Sequence, residues 1–211
     1  MHIRPTNPSV LVDPDYSNNI VTLNGMITVL PDCYPATIVV NPVNQEMCPV
    51  DGEAGFSIIA GGSGPLSLQW QYYSNGSWIN VINGIPSGAE YLNQTTNTLT
   101  VRGISAPGNY QYRCYVTNCS SSNVTSSPAT LTVNIPPDLP LIAEVVHPDC
   151  QTSAGSLYLT NMPEGTWRLI RNPGNIEIVA TGRAYTVTGL AAGEYQFTVY
   201  NIDGCSSLTP I

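Results

Sequence analysis

The residues in this chain best placed to do covalent chemistry are six cysteines: Cys33, Cys48, Cys114, Cys119, Cys150 and Cys205. None of them falls in the paired spacing of a metal knuckle, and His2 and His147 are the only histidines, so zinc is the weaker reading. Disulfides in an oxidising compartment are the stronger one. Cys150 and Cys205 frame one stretch of sequence and are the expected pair. Cys48 could reach Cys114 or Cys119, Cys33 could pair within the central stretch or outside it, and the sequence leaves those partners open.

Other chemistry has little footing. No serine, histidine and aspartate are placed as a triad, and His147, in VVHPDC beside a turn, reads as a turn residue. The acids are scattered singly, whereas a hydrolase needs two carboxylates held on rigid elements. No catalytic residue is therefore assigned, and the chain is expected not to be an enzyme. Asp13, Asp15, Asn18 and Asn19 are oxygen ligands close together, but they lack the spacing of a calcium loop and Pro14 marks a turn. No cofactor or metal is expected, with calcium the one ion left open. Asn75, Asn93, Asn118 and Asn123 head glycosylation-type triplets that read as Asn- and Thr-rich loops.

Composition sets the frame for these residues. Over 211 residues there are fourteen acids, six arginines and no lysine, for a formal charge of −8. That balance argues against binding a phosphate backbone, so no nucleic-acid partner is expected. The absence of lysine also excludes an isopeptide crosslink, which leaves cystine as the covalent staple. No apolar run is long enough to span a membrane as a helix, and no signal peptide is visible, so an exported chain is expected to be either mature or a fragment, with the pattern at both ends pointing to a fragment. Abundant Val, Ile, Thr and Tyr, with 18 Gly and 18 Pro, read as all-β with many turns.

Alternation then locates the strands. LSLQWQYY puts Leu66, Leu68 and Trp70 on one face, and GNYQYRCYVT puts Tyr112, Cys114 and Val116 on another. The two faces are expected to oppose each other about 10 Å apart as a sandwich core. The same period turns Tyr72 and Tyr110 inward and Tyr73 and Tyr115 outward. Tyr73, Tyr115 and Trp78 are thus candidates for an exposed platform that could stack on a glycan or anchor a protein, although sheet faces favour tyrosine in any case.

Four segments follow. Residues 1–41 read as a reduced or partial β module, because ITVLPDCYPATIVVN matches YVTNC…SPATLTVN later in the chain, with Cys33 in the place of Cys119. A hairpin at Asn24-Gly25 is marginal alone and must pack on something. Residues 42–134 carry short strands and turn signals at the spacing of a Greek-key sandwich. In the immunoglobulin pattern a second-strand cysteine would bridge to Cys114; here Phe56 and Ile58 stand on that strand. Residues 135–140 form a semi-rigid proline link. Residues 141–211 read as a small β-sandwich around Trp167, breaking off where one more strand is expected.

The motifs of the central segment are the strand ending in Cys48 before a glycine turn, GSGPLSLQWQ, NYQYRCYVTNC and SSPATLTVN. Together they resemble the immunoglobulin-like domains strung along very large surface and secreted proteins of Bacteroidetes-type bacteria. GTWRLIRNPG and GLAAGEYQFTVYNIDGC in the last segment are similar to the short cysteine-framed repeats of the same proteins, which include gliding-motility adhesins and other type IX secretion cargo. The resemblance implies tandem immunoglobulin-like sandwiches, disulfide-stapled and extracellular, acting as a structural or adhesion module without catalysis. Its alternatives are a filament or phage-fibre subunit assembling by strand pairing, and a glycan- or protein-binding module. The implied partners are neighbouring modules of the same or another copy, or a surface glycan or protein, with no membrane insertion.

Overall fold

The computed structural model describes residues 20–23, 26–29, 33–49, 52–119, 123–208 and 211. The acid and asparagine cluster at Asp13–Asn19 lies outside the described residues. Among those described there is no helix, and the strands fall into one hairpin and two sandwiches.

The hairpin is β1 (Ile20–Leu23) and β2 (Met26–Val29), paired Ile20 to Val29 and Leu23 to Met26. The first sandwich opens with β3 (Thr37–Val40), β4 (Gln45–Met47), β5 (Glu53–Ser57) and β6 (Ile59–Gly61). It continues through β7 (Ser67–Ser74), β8 (Ser77–Asn80), β9 (Glu90–Leu92) and β10 (Thr98–Arg102). It closes with β11 (Gly108–Thr117), β12 (Asn123–Thr125) and β13 (Ala129–Val133). One sheet runs β4-β13-β11-β7-β8, with β12 on β11; the other is β5-β10-β9, and β3 pairs with β6.

Two expectations are corrected here. The Trp70 and Cys114 strands do not face each other across the sandwich. They are antiparallel neighbours in one sheet, with Trp70 directly opposite Cys114. Cross-strand partners share a face, so both point the same way and meet the other sheet through Phe56, Leu99, Val101 and Tyr91, all buried. The second correction concerns β3, placed by sequence in a preceding unit ending at residue 41. It pairs with β6, and Ala36 is buried in the first core with Ile38 packed against it. The Asn41 side chain also accepts the Ser127 N–H at 2.7 Å.

The second sandwich comprises β14 (Leu141–Val146), β15 (Gly155–Thr160), β16 (Thr166–Asn172), β17 (Ile176–Thr181), β18 (Ala184–Leu190) and β19 (Gln196–Tyr200). Its sheets are β14-β15-β18 and β17-β16-β19. Trp167, Leu169, Leu159, Met162 and Val199 fill the core. Trp167 Nε1 donates to the Gly182 carbonyl at 2.8 Å, which satisfies its buried polar end. Beyond Cys205, Ser207 donates to Val199, and Ile211 exchanges both backbone hydrogen bonds with Phe197 (2.9 and 3.0 Å). Tyr200 and Ser206 form an isolated antiparallel bridge beside β19.

Candidate functional site: the cystine clamp and the aromatic face

Strand polarity decides where the cysteines go. β4 runs parallel to β13, with Met47 beside Val133, so Cys48 emerges where the chain leaves the first sandwich. Asn134 donates to the Met47 carbonyl at that point. The proline link begins there and is pinned at both ends. Asn201 Nδ2 donates to the Ile135 carbonyl at 3.0 Å, and Asn161 Nδ2 donates to the Leu139 carbonyl at 3.1 Å. β19 therefore ends at the link, and Cys205, in the turn just beyond it, meets Cys48. Their Cα atoms are 5.3 Å apart and their sulfurs are bonded.

This overturns the Cys150–Cys205 pair. β14 begins at the link and runs away from it, leaving Cys150 at the opposite end of the second sandwich from Cys205. Cys150 is free and exposed. Cys33 bonds to Cys119, with Cα atoms 6.0 Å apart, and so ties the β3 segment to the end of β11. Asn118 Nδ2 reinforces that tie by donating to the Tyr34 carbonyl at 2.6 Å and the Ser63 carbonyl at 3.2 Å. Of the partners weighed for Cys48, neither Cys114 nor Cys119 is used. Cys114 is a free thiol, fully buried beside Trp70, and burial pushes its pKa up to about 11. A thiol so placed stays protonated and packs as a small apolar group.

The structural residues sit as follows. Trp70 is buried at the centre of the first core, its ring centroid 6.2 Å from Phe56 and its Nε1 donating to the Thr96 carbonyl at 2.9 Å. Tyr112 lies 5.3 Å from Phe56 and shares a 3.1 Å hydrogen bond with the Tyr91 hydroxyl. Tyr91 donates onward to the Ile85 carbonyl at 2.9 Å, so Tyr112 is the donor within the pair. Desolvation raises both phenols, Tyr91 to about 12 and Tyr112 further.

On the outward face of the larger sheet, Tyr73 stands opposite Trp78 with ring centroids 5.1 Å apart. Arg113, two strands from Trp78, places its guanidinium 4.4 Å from that ring's centroid and donates through Nε to Gln71 at 2.9 Å. Gln71 in turn donates to Asn80 at 3.2 Å. The sequence candidates Tyr73 and Trp78 are thus brought together. Tyr115 is not: it sits opposite Gln69, four residues along β7 from Tyr73 on the same face. Arg113, which sequence reasoning missed, covers the Trp78 ring. Its outward parity with Tyr115 was the available signal.

Among the described residues, no group of three His, Cys, Asp or Glu could hold a metal ion. His147 lines a shallow recess with Val145, Leu190 and Tyr195. Asp149, two residues on, accepts the Gln151 and Thr152 amides and the Thr152 hydroxyl; these bonds hold its carboxyl below the usual range. These are the bonds of a turn.

No family model matches the chain, and no curated protein is similar to it. Among solved structures it is similar to the Ig1-2 module of the Drosophila receptor tyrosine phosphatase DLAR, at 19% identity over 82% of this chain and 94% of that one (TM-score 0.35). It is also similar to Sidekick-1 immunoglobulin domains 1–4, at 16% identity over 95% and 55% of the two chains (TM-score 0.42). The chicken CNTN1 FN1-FN3 domains match at 12% over 91% and 71% (TM-score 0.44). The fold assignment rests on the chain's own sheets. It is all-β, a tandem of immunoglobulin-like sandwiches stapled by two disulfides. Cystines of this kind belong to an oxidising, extracellular-type compartment.

Proposed function

We propose that this chain is a non-enzymatic structural and adhesion module of a bacterial cell-surface stalk or adhesin. Its setting is that of the large Bacteroidetes-type surface proteins exported by type IX secretion. One observation carries the reading: the Cys48–Cys205 bridge joins two sandwiches across their link, where Asn134 and Asn201 add hydrogen bonds. A covalent tie across a module boundary removes hinge motion, which suits a projecting spacer. Its partners are then the modules before and after it.

The test uses the exposed thiol of Cys150. A membrane-impermeant maleimide applied to intact cells of the source should label Cys150, and surface proteolysis should release the labelled peptide. Labelling that appears only after lysis overturns the reading.

A second reading, a filament subunit that assembles by strand pairing, is favoured by β14. All six of its residues are exposed. Ile142 and Val145 lie opposite the buried Leu159 and Leu157, on the core side of the sheet, yet are 55% and 51% exposed. Such an apolar edge accepts a strand from another copy. Native mass measurement would show multiples of the chain that Val145→Lys abolishes; a monomer for both proteins rejects it. The glycan- or protein-binding alternative through Tyr73, Trp78 and Tyr115 has less support, because Arg113 already occupies the Trp78 ring.

A further inference from the structure

The order of the cysteines along the chain has a mechanical consequence. Cys33 comes first, then Cys48, then Cys119, then Cys205, with bonds joining the first to the third and the second to the fourth. Tension entering ahead of Cys33 and leaving after Cys205 takes the shortest covalent route. That route follows the backbone from Cys33 to Cys48 and then crosses the sulfur bridge to Cys205. We propose that the Cys48–Cys205 cystine is a load-bearing shunt that keeps residues 49–204, nearly all of both sandwiches, out of the force path. The inference rests on the structural reading above and deepens it by assigning which part of the chain carries tension.

Two details follow from the route. Between Cys33 and Cys205, the tertiary structure under load is confined to the segment from Cys33 to Cys48, where β3 is held by β6 and β4 by β13. The Cys33–Cys119 bridge is not on the shortest route, because from Cys119 the backbone to Cys205 is far longer than the backbone from Cys33 to Cys48. Its part is to anchor the loaded segment to the first sandwich. The second sandwich, with its smaller core, is the module that gains most from being bypassed. Unfolding of that core cannot lengthen the chain while the bridge holds.

The experiment is single-molecule stretching of the full chain between handles at its two ends. The final length at high force depends on covalent connectivity alone, so it is readable even for a variant that folds poorly. At about 3.5 Å per extended residue, the stretch between Cys33 and Cys205 should contribute about 5 nm in the oxidised protein. The double variant Cys48→Ser/Cys205→Ser should release about 30 nm there, and the fully reduced chain about 60 nm. Cys33→Ser/Cys119→Ser should match the unmodified protein in final length. An oxidised chain that yields about 30 or 60 nm overturns the shunt. Failure of surface labelling with the short length intact would reject the stalk reading and leave the connectivity standing.

Discussion

Cys48 and Cys205, 157 positions apart in sequence, are bonded with their Cα atoms 5.3 Å apart, so one covalent link closes most of the first sandwich, the proline connection and the second sandwich into a single loop. Closing a loop of this size restricts the unfolded chain and typically stabilises by about 2–4 kcal/mol. Cys205→Ser should therefore lower the denaturant midpoint of the second sandwich, read from Trp167 fluorescence in a background with Trp70 and Trp78 replaced by Phe. Cys150→Ser should leave that midpoint unchanged. Equal losses in the two variants would mean Cys150 has a structural bond.

The buried hydroxyl pair gives an ordered expectation. Tyr112 donates to Tyr91, and Tyr91 donates to Ile85. Tyr112→Phe leaves Tyr91 with its own acceptor and should cost about 1 kcal/mol. Tyr91→Phe strands the Tyr112 hydroxyl without an acceptor and should cost about 1–3 kcal/mol. Denaturation of the two variants that gave the reverse order would refute the assigned donor direction.

The same pair sets an alkaline limit. Tyr91 is raised in the folded protein to about 12, and burial raises Tyr112 as well. An unfolded tyrosine titrates near ~10. The folded state binds these protons more tightly, so the stabilisation is fully present below that value and is lost as pH climbs from there toward the folded value. Phenolate absorbance should show two tyrosines that resist titration until the chain unfolds. A smooth titration of all tyrosines without unfolding would contradict the burial.

Arg113 over Trp78 is a coupling across two strands. A double-mutant cycle with Arg113→Ala and Trp78→Ala should give a coupling of about 0.5–1 kcal/mol, typical of an exposed cation–π contact. Zero coupling would leave the Trp78 ring available, and the glycan-platform reading would regain ground.

Gly62 tests the assignment of β3. Its φ is +121°, and a Cβ there would lie 2.7 Å from the Pro35 carbonyl oxygen, so the turn after β6 fits against the Cys33 segment only as glycine. Gly62→Ala should lower stability by about 1–3 kcal/mol and speed hydrogen exchange in β3 before the rest of the sandwich. Unchanged exchange in β3 would mean the segment packs elsewhere.

Strand positions were legible because alternation is local: the runs around Trp70, Tyr112 and Trp167 show it residue by residue. The inward and outward sides of Tyr72, Tyr73, Tyr110 and Arg113 follow from the same period. What alternation does not carry is which strands are neighbours. That is why Trp70 and Cys114 were expected to face one another across the core and instead stand side by side in one sheet. Cystine pairing depends on strand polarity one step further on. The parallel run of β4 along β13 brings Cys48 to the link, and the direction of β14 carries Cys150 away from it. Neither is encoded near the cysteines themselves. Arg113 was missed for a similar reason, since its contact with Trp78 spans two strand spacings.

Peptide mapping of the unreduced protein tests the account most directly. Digestion under acidic conditions, which prevent thiol exchange, should give one crosslinked pair containing Cys33 and Cys119 and another containing Cys48 and Cys205. Cys114 and Cys150 should be recovered as alkylated thiols after unfolding. A crosslink between Cys150 and Cys205, with Cys48 joined to Cys114 or Cys119, would contradict the clamp between the two sandwiches and the load path built on it.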